Sequence, residues 1–248
     1  MSSSTEIVGV IPARLGSTRL PRKVLREIRG RPMVQHVFER AQRCKRLTKL
    51  VVATDSDEVA DVCQRRDIPV EMTSPLHPSG TDRLFEVITH HSGDIFVNIQ
   101  GDEPLIDPAH LDALLTPFEE HAGTEVSTLR IAITTEEARN PNVVKVVCDE
   151  SGHALYFSRW PIPFDRDEKG RAPYYKHVGL YAYRRRALEQ FHGWLPSKLE
   201  VSERLEQLRY LEHGVRIFVA ETTVPTVGVD TEEDLRAVEE ILRRCEAA

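Results

Sequence analysis

The sequence predicts an α/β protein built on a doubly wound, mixed sheet, and three observations predict it. Short apolar runs recur along the chain with the length and composition of buried parallel strands, beginning with Ile7–Pro12. Segments with apolar residues at helical spacing alternate with them, as a covered parallel sheet requires. The connections are short, and no linker is long enough to separate independent domains, so residues 1–248 are expected to form one domain.

Taken in order, the first strand is closed by Pro12. The turn Arg29-Gly30-Arg31-Pro32 leads into a helix marked by Met33, Val34, Val37, Phe38 and Ala41. A strand at 50–53 is followed by a helix through Val59, Ala60, Val62 and Cys63. A strand at 69–72, a helix from about Thr81 and a strand at 95–99 repeat the alternation. Asp107-Pro108 then reads as an N-cap with proline at the first helical position. Beyond about residue 125 the rhythm changes. Runs at 126–133, 143–147, 154–157 and 178–183 are strands with few helices between them. The region from about 125 to 200 is therefore expected to be a mixed or antiparallel extension carrying substrate or dimer contacts. An amphipathic helix at 199–213, a strand at 217–220 and a closing helix at 230–244 complete the expectation.

Composition narrows the functional classes. With 40% hydrophobic and 29% charged residues, the chain belongs with soluble globular proteins rather than disordered ones. No stretch approaches the roughly 20 apolar residues that cross a bilayer, so no membrane insertion is expected. Met1 to Glu6 lack the basic-then-apolar order of a secretion signal, which points to the cytoplasm. Cys44, Cys63, Cys148 and Cys245 form no CxxC pair, which argues against zinc and for reduced thiols serving as small apolar residues. A net charge of −6 speaks against nucleic acid as a partner. Within that acidic chain, Arg14, Arg19, Arg22, Lys23, Arg26, Arg29 and Arg31 face only Glu27 in the same stretch. Such a concentration just after the first strand suits a small polyanion.

The segment from Pro12 to Lys23 matches neither GxxxxGK[ST] nor GxGxxG. Its small residues still allow backbone N–H groups near phosphates, with Arg14 as a forked donor and Lys23 as a point charge. A basic surface loop fits that segment equally well. Asp102 and Asp230 each follow an apolar strand in this reading. Two carboxylates from separate strand ends would suit Mg²⁺, which takes one or two of them together with substrate phosphates. Asp230 also fits an N-cap, with Glu233 three residues on.

Ten segments taken together resemble the 3-deoxy-manno-octulosonate cytidylyltransferase (CMP-Kdo synthetase) family: IPARLGSTRLPRK (11–23), GRPMVQHVFERA (30–41), VVATD (51–55), PSGTDRL (78–84), VNIQGDEP (97–104), NPNVVKVV (140–147), ALYFSR (154–159), HVGLYAYR (177–184), LEQLR (205–209) and GVDTEEDL (228–235). The first is shared among sugar nucleotidyltransferases, whereas QGDEP, YFSR, the His177 segment, LEQLR and GVDTEEDL in this order and spacing are much more specific. The resemblance implies a Rossmann-like fold of the nucleotidyltransferase type and transfer of CMP from CTP to an eight-carbon acid sugar. It implies that Ala13, Arg14 and Lys23 hold the nucleotide phosphates and that Ser79, Gly80 and Thr81 lie beside the cytosine. Gln100 would bridge nucleotide and sugar, and Asp102 and Asp230 would bind Mg²⁺. Arg159, His177, Glu206 and Gln207 would form the sugar pocket, and the enzyme would be a homodimer. Arg22 departs from the family pattern, since many relatives have glycine there. Two other readings remain: a cytidylyltransferase for another acid sugar, such as 8-amino-Kdo or sialic acid, and a nucleotide-sensing module without catalysis.

Overall fold

Strand β1 (Ile7–Pro12) is buried along almost its whole length, as expected of a run with parallel neighbours on both sides. The computed structural model describes residues 5–16, 20–77, 80–121, 123–167 and 172–247, with side chains to 244. Two compact units result: residues 1–111 with 226–248, and residues 112–225.

In the first unit, β2 (Glu27–Ile28) and β3 (Arg31–Pro32) form a small hairpin that sequence reading treats only as a turn. Arg29 at φ 52° and Gly30 at φ 76° supply the two left-handed residues such a hairpin needs. Helix α1 (Met33–Ala41) follows with Pro32 as its cap position. Next come β4 (Lys49–Thr54) and α2 (Asp57–Gln64), whose first turn is capped by the Ser56 hydroxyl accepting from the Val59 amide. β5 (Val70–Met72), α3 (Gly80–His90) and β6 (Ile95–Asn98) complete the alternation. β1 pairs in parallel with both β4 and β6, and β4 with β5. The chain therefore builds outward on one side of β1 and then returns to the other. That reversal creates a crevice at the carboxyl ends of β1 and β6, where open α/β sheets bind their ligands.

α4 (Pro108–Leu115) carries the chain into the second unit, its first turn capped by the Asp107 carboxylate accepting from the Ala109 amide at 2.9 Å. There α5 (Pro117–Glu120) precedes β7 (Val126–Ile133), α6 (Thr135–Ala138), β8 (Lys145–Cys148), β9 (Ala154–Ser158) and β10 (Tyr174–Arg184). α7 (Arg185–Gly193), α8 (Lys198–Glu203), α9 (Leu208–Glu212) and β11 (Ile217–Glu221) follow. β7 is antiparallel to β10 and parallel to β11, while β8 is antiparallel to β10 and β9. The strands are mixed and, between β7 and β10, only the single-turn α6 is found among the described residues, as expected; the nine-residue α7 after β10 is the helix the sequence reading misses.

The expected helix at 199–213 is corrected. It is broken at Arg204, which sits at φ 54°, into α8 and α9. The break is locked by the buried ion pair of Glu200 with Arg209, whose guanidinium also stacks on Phe191 at 4.0 Å. It places Glu206 and Gln207 in the connection between helices rather than on a helix face.

The closing helix α10 (Glu232–Ala247) returns to the first unit. Leu235, Val238 and Leu242 pack there with Leu20, Ile28 and Met33 beneath the basic segment. None of the described helices is long and apolar enough to cross a membrane.

Candidate active site

The carboxyl end of β1 continues into Ala13, whose amide donates to the Ala53 carbonyl at 2.8 Å and whose side chain is fully buried. Arg14, the next residue, is exposed. Beyond β6 the chain turns through Gln100, Gly101 and Asp102, the Glu103 amide closing back on the Gln100 carbonyl. Gly101 is required by close approach: a Cβ there would lie 2.7 Å from the Pro12 carbonyl oxygen. Nothing larger lets the turn carrying Asp102 sit against the end of β1.

Asp230 reaches the same place by a route the sequence does not disclose. Residues 225–230 form no strand, so the expected strand-end position is corrected. An extended segment runs there instead, held by the Val229 amide donating to the Asp102 carbonyl at 2.9 Å. The alternative reading of Asp230 as a helix cap also falls. Thr231 and Asp234 close the first turn of α10 reciprocally, through Thr231 Oγ1 at 3.2 Å from the Asp234 amide and Asp234 Oδ2 at 2.9 Å from the Thr231 amide.

Between the two carboxylates lies Lys23. Its Nζ donates to Asp102 Oδ2 at 2.5 Å and to Asp230 Oδ1 at 2.9 Å. Burial alone would depress this ammonium, but Asp102 and Asp230 outweigh it and hold the group above its ordinary value. Lys23 opens a short 3₁₀ turn, and the residue before it, Arg22, sits at φ 57° in the left-handed region. That conformation explains why glycine suits the position and what the departure to arginine costs. The Arg22 side chain pairs with Glu58.

The oxygen-only donor set of Asp102 and Asp230 fits a hard divalent cation shared with phosphates. Among the described residues no cluster of three or more His, Cys, Asp or Glu could hold a metal by itself. Gly80 and Thr81 open α3, with Thr81 buried. Ser79 lies outside the described residues. Sequence reasoning misses Asn98, the last residue of β6. Its buried carboxamide oxygen has no hydrogen-bond partner among the described residues, and its Nδ2 lies 3.9 Å from where a Gly80 Cβ would be.

In the second unit, His177 of β10 is buried, with Nε2 3.0 Å from the Thr128 hydroxyl and its ring edge-on to Phe157. Burial, with nearby Lys176 adding to it, pushes its pKa down to about 3, so the imidazole is neutral at working pH. Its ring lies 5.3 Å from that of Tyr181, a residue sequence reasoning does not single out. Burial raises the Tyr181 phenol well above its usual value, with Tyr183 and the Glu206 carboxylate adding to the effect. Gln207 is buried, and its Nε2 has no hydrogen-bond partner among the described residues.

Arg159 belongs to a separate set of contacts. Its Nε donates to the Glu203 carbonyl at 2.9 Å and its Nη1 to the Pro141 carbonyl at 3.2 Å. The Glu203 carboxylate accepts from the Arg159 amide and from Ser158 Oγ, and the fully buried Lys145 donates to the Arg159 carbonyl at 2.6 Å. The guanidinium borders a cavity of about 970 Å³ shared with Arg139, Trp160, Phe164 and Tyr174.

Comparison with known proteins fixes the family. The cytidylyltransferase family model matches residues 8–217. A 3-deoxy-manno-octulosonate cytidylyltransferase of Koribacter versatilis is 52% identical over 242 residues, covering 98% of this chain and 92% of that protein. The chain belongs to this family. A second member of the family, from Acidobacterium capsulatum, is 53% identical over 240 residues, covering 97% of this chain and 98% of its own. The solved structure of CMP:2-keto-3-deoxy-manno-octonic acid synthetase complexed with CTP superposes with a TM-score of 0.93 at 43% identity, covering 97% of this chain and 99% of that one. A nucleotidyl transferase of Methanothermobacter, at 17% identity and a TM-score of 0.66, shares the fold. Membership of the 3-deoxy-manno-octulosonate cytidylyltransferases makes the chain a nucleotidyltransferase with the α/β fold that the sequence predicts.

Proposed function

We propose that this enzyme transfers CMP from CTP to the anomeric hydroxyl of 3-deoxy-D-manno-octulosonate, releasing pyrophosphate and activating the sugar for lipopolysaccharide synthesis. The observation that carries the reading is the convergence of Lys23, Asp102 and Asp230 at the end of β1, where a triphosphate and its cation would be held.

Each unit supplies its own part. In the first, Ala13 and Arg14 border the phosphates, and Lys23 meets the oxygens of the departing pyrophosphate, offsetting charge as it develops. Gly80 and Thr81, with Ser79, read the cytosine edge, and the Asn98 carboxamide oxygen accepts from its amino group. Gln100 lies within the turn that leads to Asp102 and bridges nucleotide and sugar. Asp102 and Asp230 would hold Mg²⁺, which when bound supplies charge neutralisation at the phosphates and lowers the pKa of a coordinated hydroxyl. In the second unit, neutral His177 exchanges a hydrogen bond with a sugar hydroxyl, Gln207 donates its unused N–H, and Glu206 accepts. Arg159 meets the sugar carboxylate, for which a guanidinium is the strongest available partner. Catalysis then rests on positioning and charge rather than on a general base.

The enzyme works as a cytoplasmic homodimer joined through part of the region beyond residue 125, though not through Tyr174, Tyr181 and Tyr183 of β10, which are buried within the chain itself. Pyrophosphate release with CTP, UTP and ATP against 3-deoxy-D-manno-octulosonate, its 8-amino form and sialic acid tests the reading. Release confined to CTP with the first sugar is expected. Preference for either other sugar moves the assignment to a neighbouring activity, and no release with any pair defeats it.

A further inference from the structure

The ammonium of Lys23 makes its two short contacts with carboxylates assigned above to the metal. A magnesium ion needs oxygens at about 2.0–2.1 Å. An ion taking the oxygens that Lys23 holds, Asp102 Oδ2 and Asp230 Oδ1, would overlap an ammonium lying 2.5 and 2.9 Å from them. On those two oxygens one positive centre must leave before the other can settle.

We propose that Lys23 is an exchangeable counter-ion for the Asp102–Asp230 pair, so that the divalent cation joins the site with the nucleotide rather than ahead of it. This rests on the reading of that pair as the metal ligands. Two carboxylates brought together repel each other, and Lys23 removes the repulsion, which keeps the pair assembled. The lysine side chain is only 13% exposed, against 31% and 41% for its partners, so it is the more enclosed member. Its backbone is fixed on both sides, by the Leu25 amide donating to the Arg22 carbonyl and the Arg26 amide to the Lys23 carbonyl. Exchange is therefore a swing of the four-carbon side chain, with no rearrangement of the turn. Triphosphate oxygens give the ammonium an equally charged partner at the moment it releases the carboxylates. Because linkage is reciprocal, nucleotide and metal each strengthen the other's binding through this one side chain.

The test is Mn²⁺ binding to the nucleotide-free chain, followed by electron paramagnetic resonance of the free ion. Lys23→Met and Lys23→Gln should both bind Mn²⁺ at least roughly tenfold more tightly than the parent, and adding Asp102→Asn should remove the gain. Circular dichroism and thermal melts confirm that each variant is folded, and the two Lys23 substitutions check one another. Binding no tighter than the parent's overturns the exchange, as does a gain that survives Asp102→Asn. A second titration, of parent and Asp102→Asn with an unreactive CTP analogue bound, separates the two claims. If Asp102→Asn weakens Mn²⁺ binding there while the Lys23 variants gain nothing, only the exchange fails. If Asp102→Asn leaves Mn²⁺ affinity unchanged, the metal assignment fails with it.

Discussion

Lowering the pH from 8 to 5 should destabilise this protein in part through His177. The unfolded imidazole has a pKa near 6.5, whereas burial, with Lys176 adding to it, pushes the folded one down to about 3. Below pH 6.5 the unfolded chain binds a proton that the native site refuses. The stability present above that pH is therefore lost as the solution becomes more acid, down to the folded value. Each unit corresponds to about 1.4 kcal/mol, so at pH 5 the loss from this residue is about 2 kcal/mol. The assay is urea unfolding of the parent and of His177→Gln at pH 8 and pH 5. Glutamine can keep a hydrogen bond to Thr128 but cannot titrate. Relative to the parent, the variant should gain about 2 kcal/mol across that interval, which cancels contributions from the other histidines. An equal pH dependence in both proteins would refute the reasoning, since His177 would then be exposed to solvent or charged in the native state.

Four further substitutions probe the two units. Asp102→Asn and Asp230→Asn should each reduce kcat by roughly 100-fold or more while leaving the far-ultraviolet circular dichroism unchanged; near-normal turnover at ordinary Mg²⁺ would remove the shared-metal assignment. Arg159→Ala should raise the sugar KM by roughly 10- to 150-fold, the equivalent of a charged hydrogen bond of about 1.5–3 kcal/mol, with the CTP KM changed much less. A defect confined to CTP would move Arg159 into phosphate binding. Gly101→Ala should cost about 1–3 kcal/mol in thermal or urea unfolding, because its Cβ would press on the Pro12 carbonyl, and kcat should fall as Asp102 is displaced. Parental stability and turnover would show that the turn can relax freely.

Apart from the β2–β3 hairpin and the segment before Asp230, the strands and helices of the first unit were legible because each carries its own period or cap. Ile7–Pro12, the apolar positions of α1, and Asp107 before Pro108 are local signals, and the structure follows them. The break at Arg204 was not legible. Leu205, Leu208 and Leu211 keep a helical spacing across it, and only the distant Glu200–Arg209 pair shows why the backbone turns there. The same holds at the site. Asp102 announces itself by following β6, but Asp230 is placed by a main-chain hydrogen bond from Val229, and main-chain pairing leaves no mark on side-chain identity. The Lys23 bridge joins residues 79 and 207 positions apart, a contact no local pattern encodes. Arg22 departs from a glycine in the family pattern, and only the structure shows that the position is left-handed, a conformation glycine adopts without strain.

The most direct measurement of the central claim is ³¹P nuclear magnetic resonance of a reaction containing the enzyme, Mg²⁺, CTP and 3-deoxy-D-manno-octulosonate carrying ¹⁸O at its anomeric hydroxyl. The account predicts equal amounts of pyrophosphate and a new phosphodiester, with the isotope shift on the phosphodiester phosphorus, because the sugar oxygen attacks the α-phosphorus. Formation of CDP and phosphate, or a phosphodiester without the label, would contradict it.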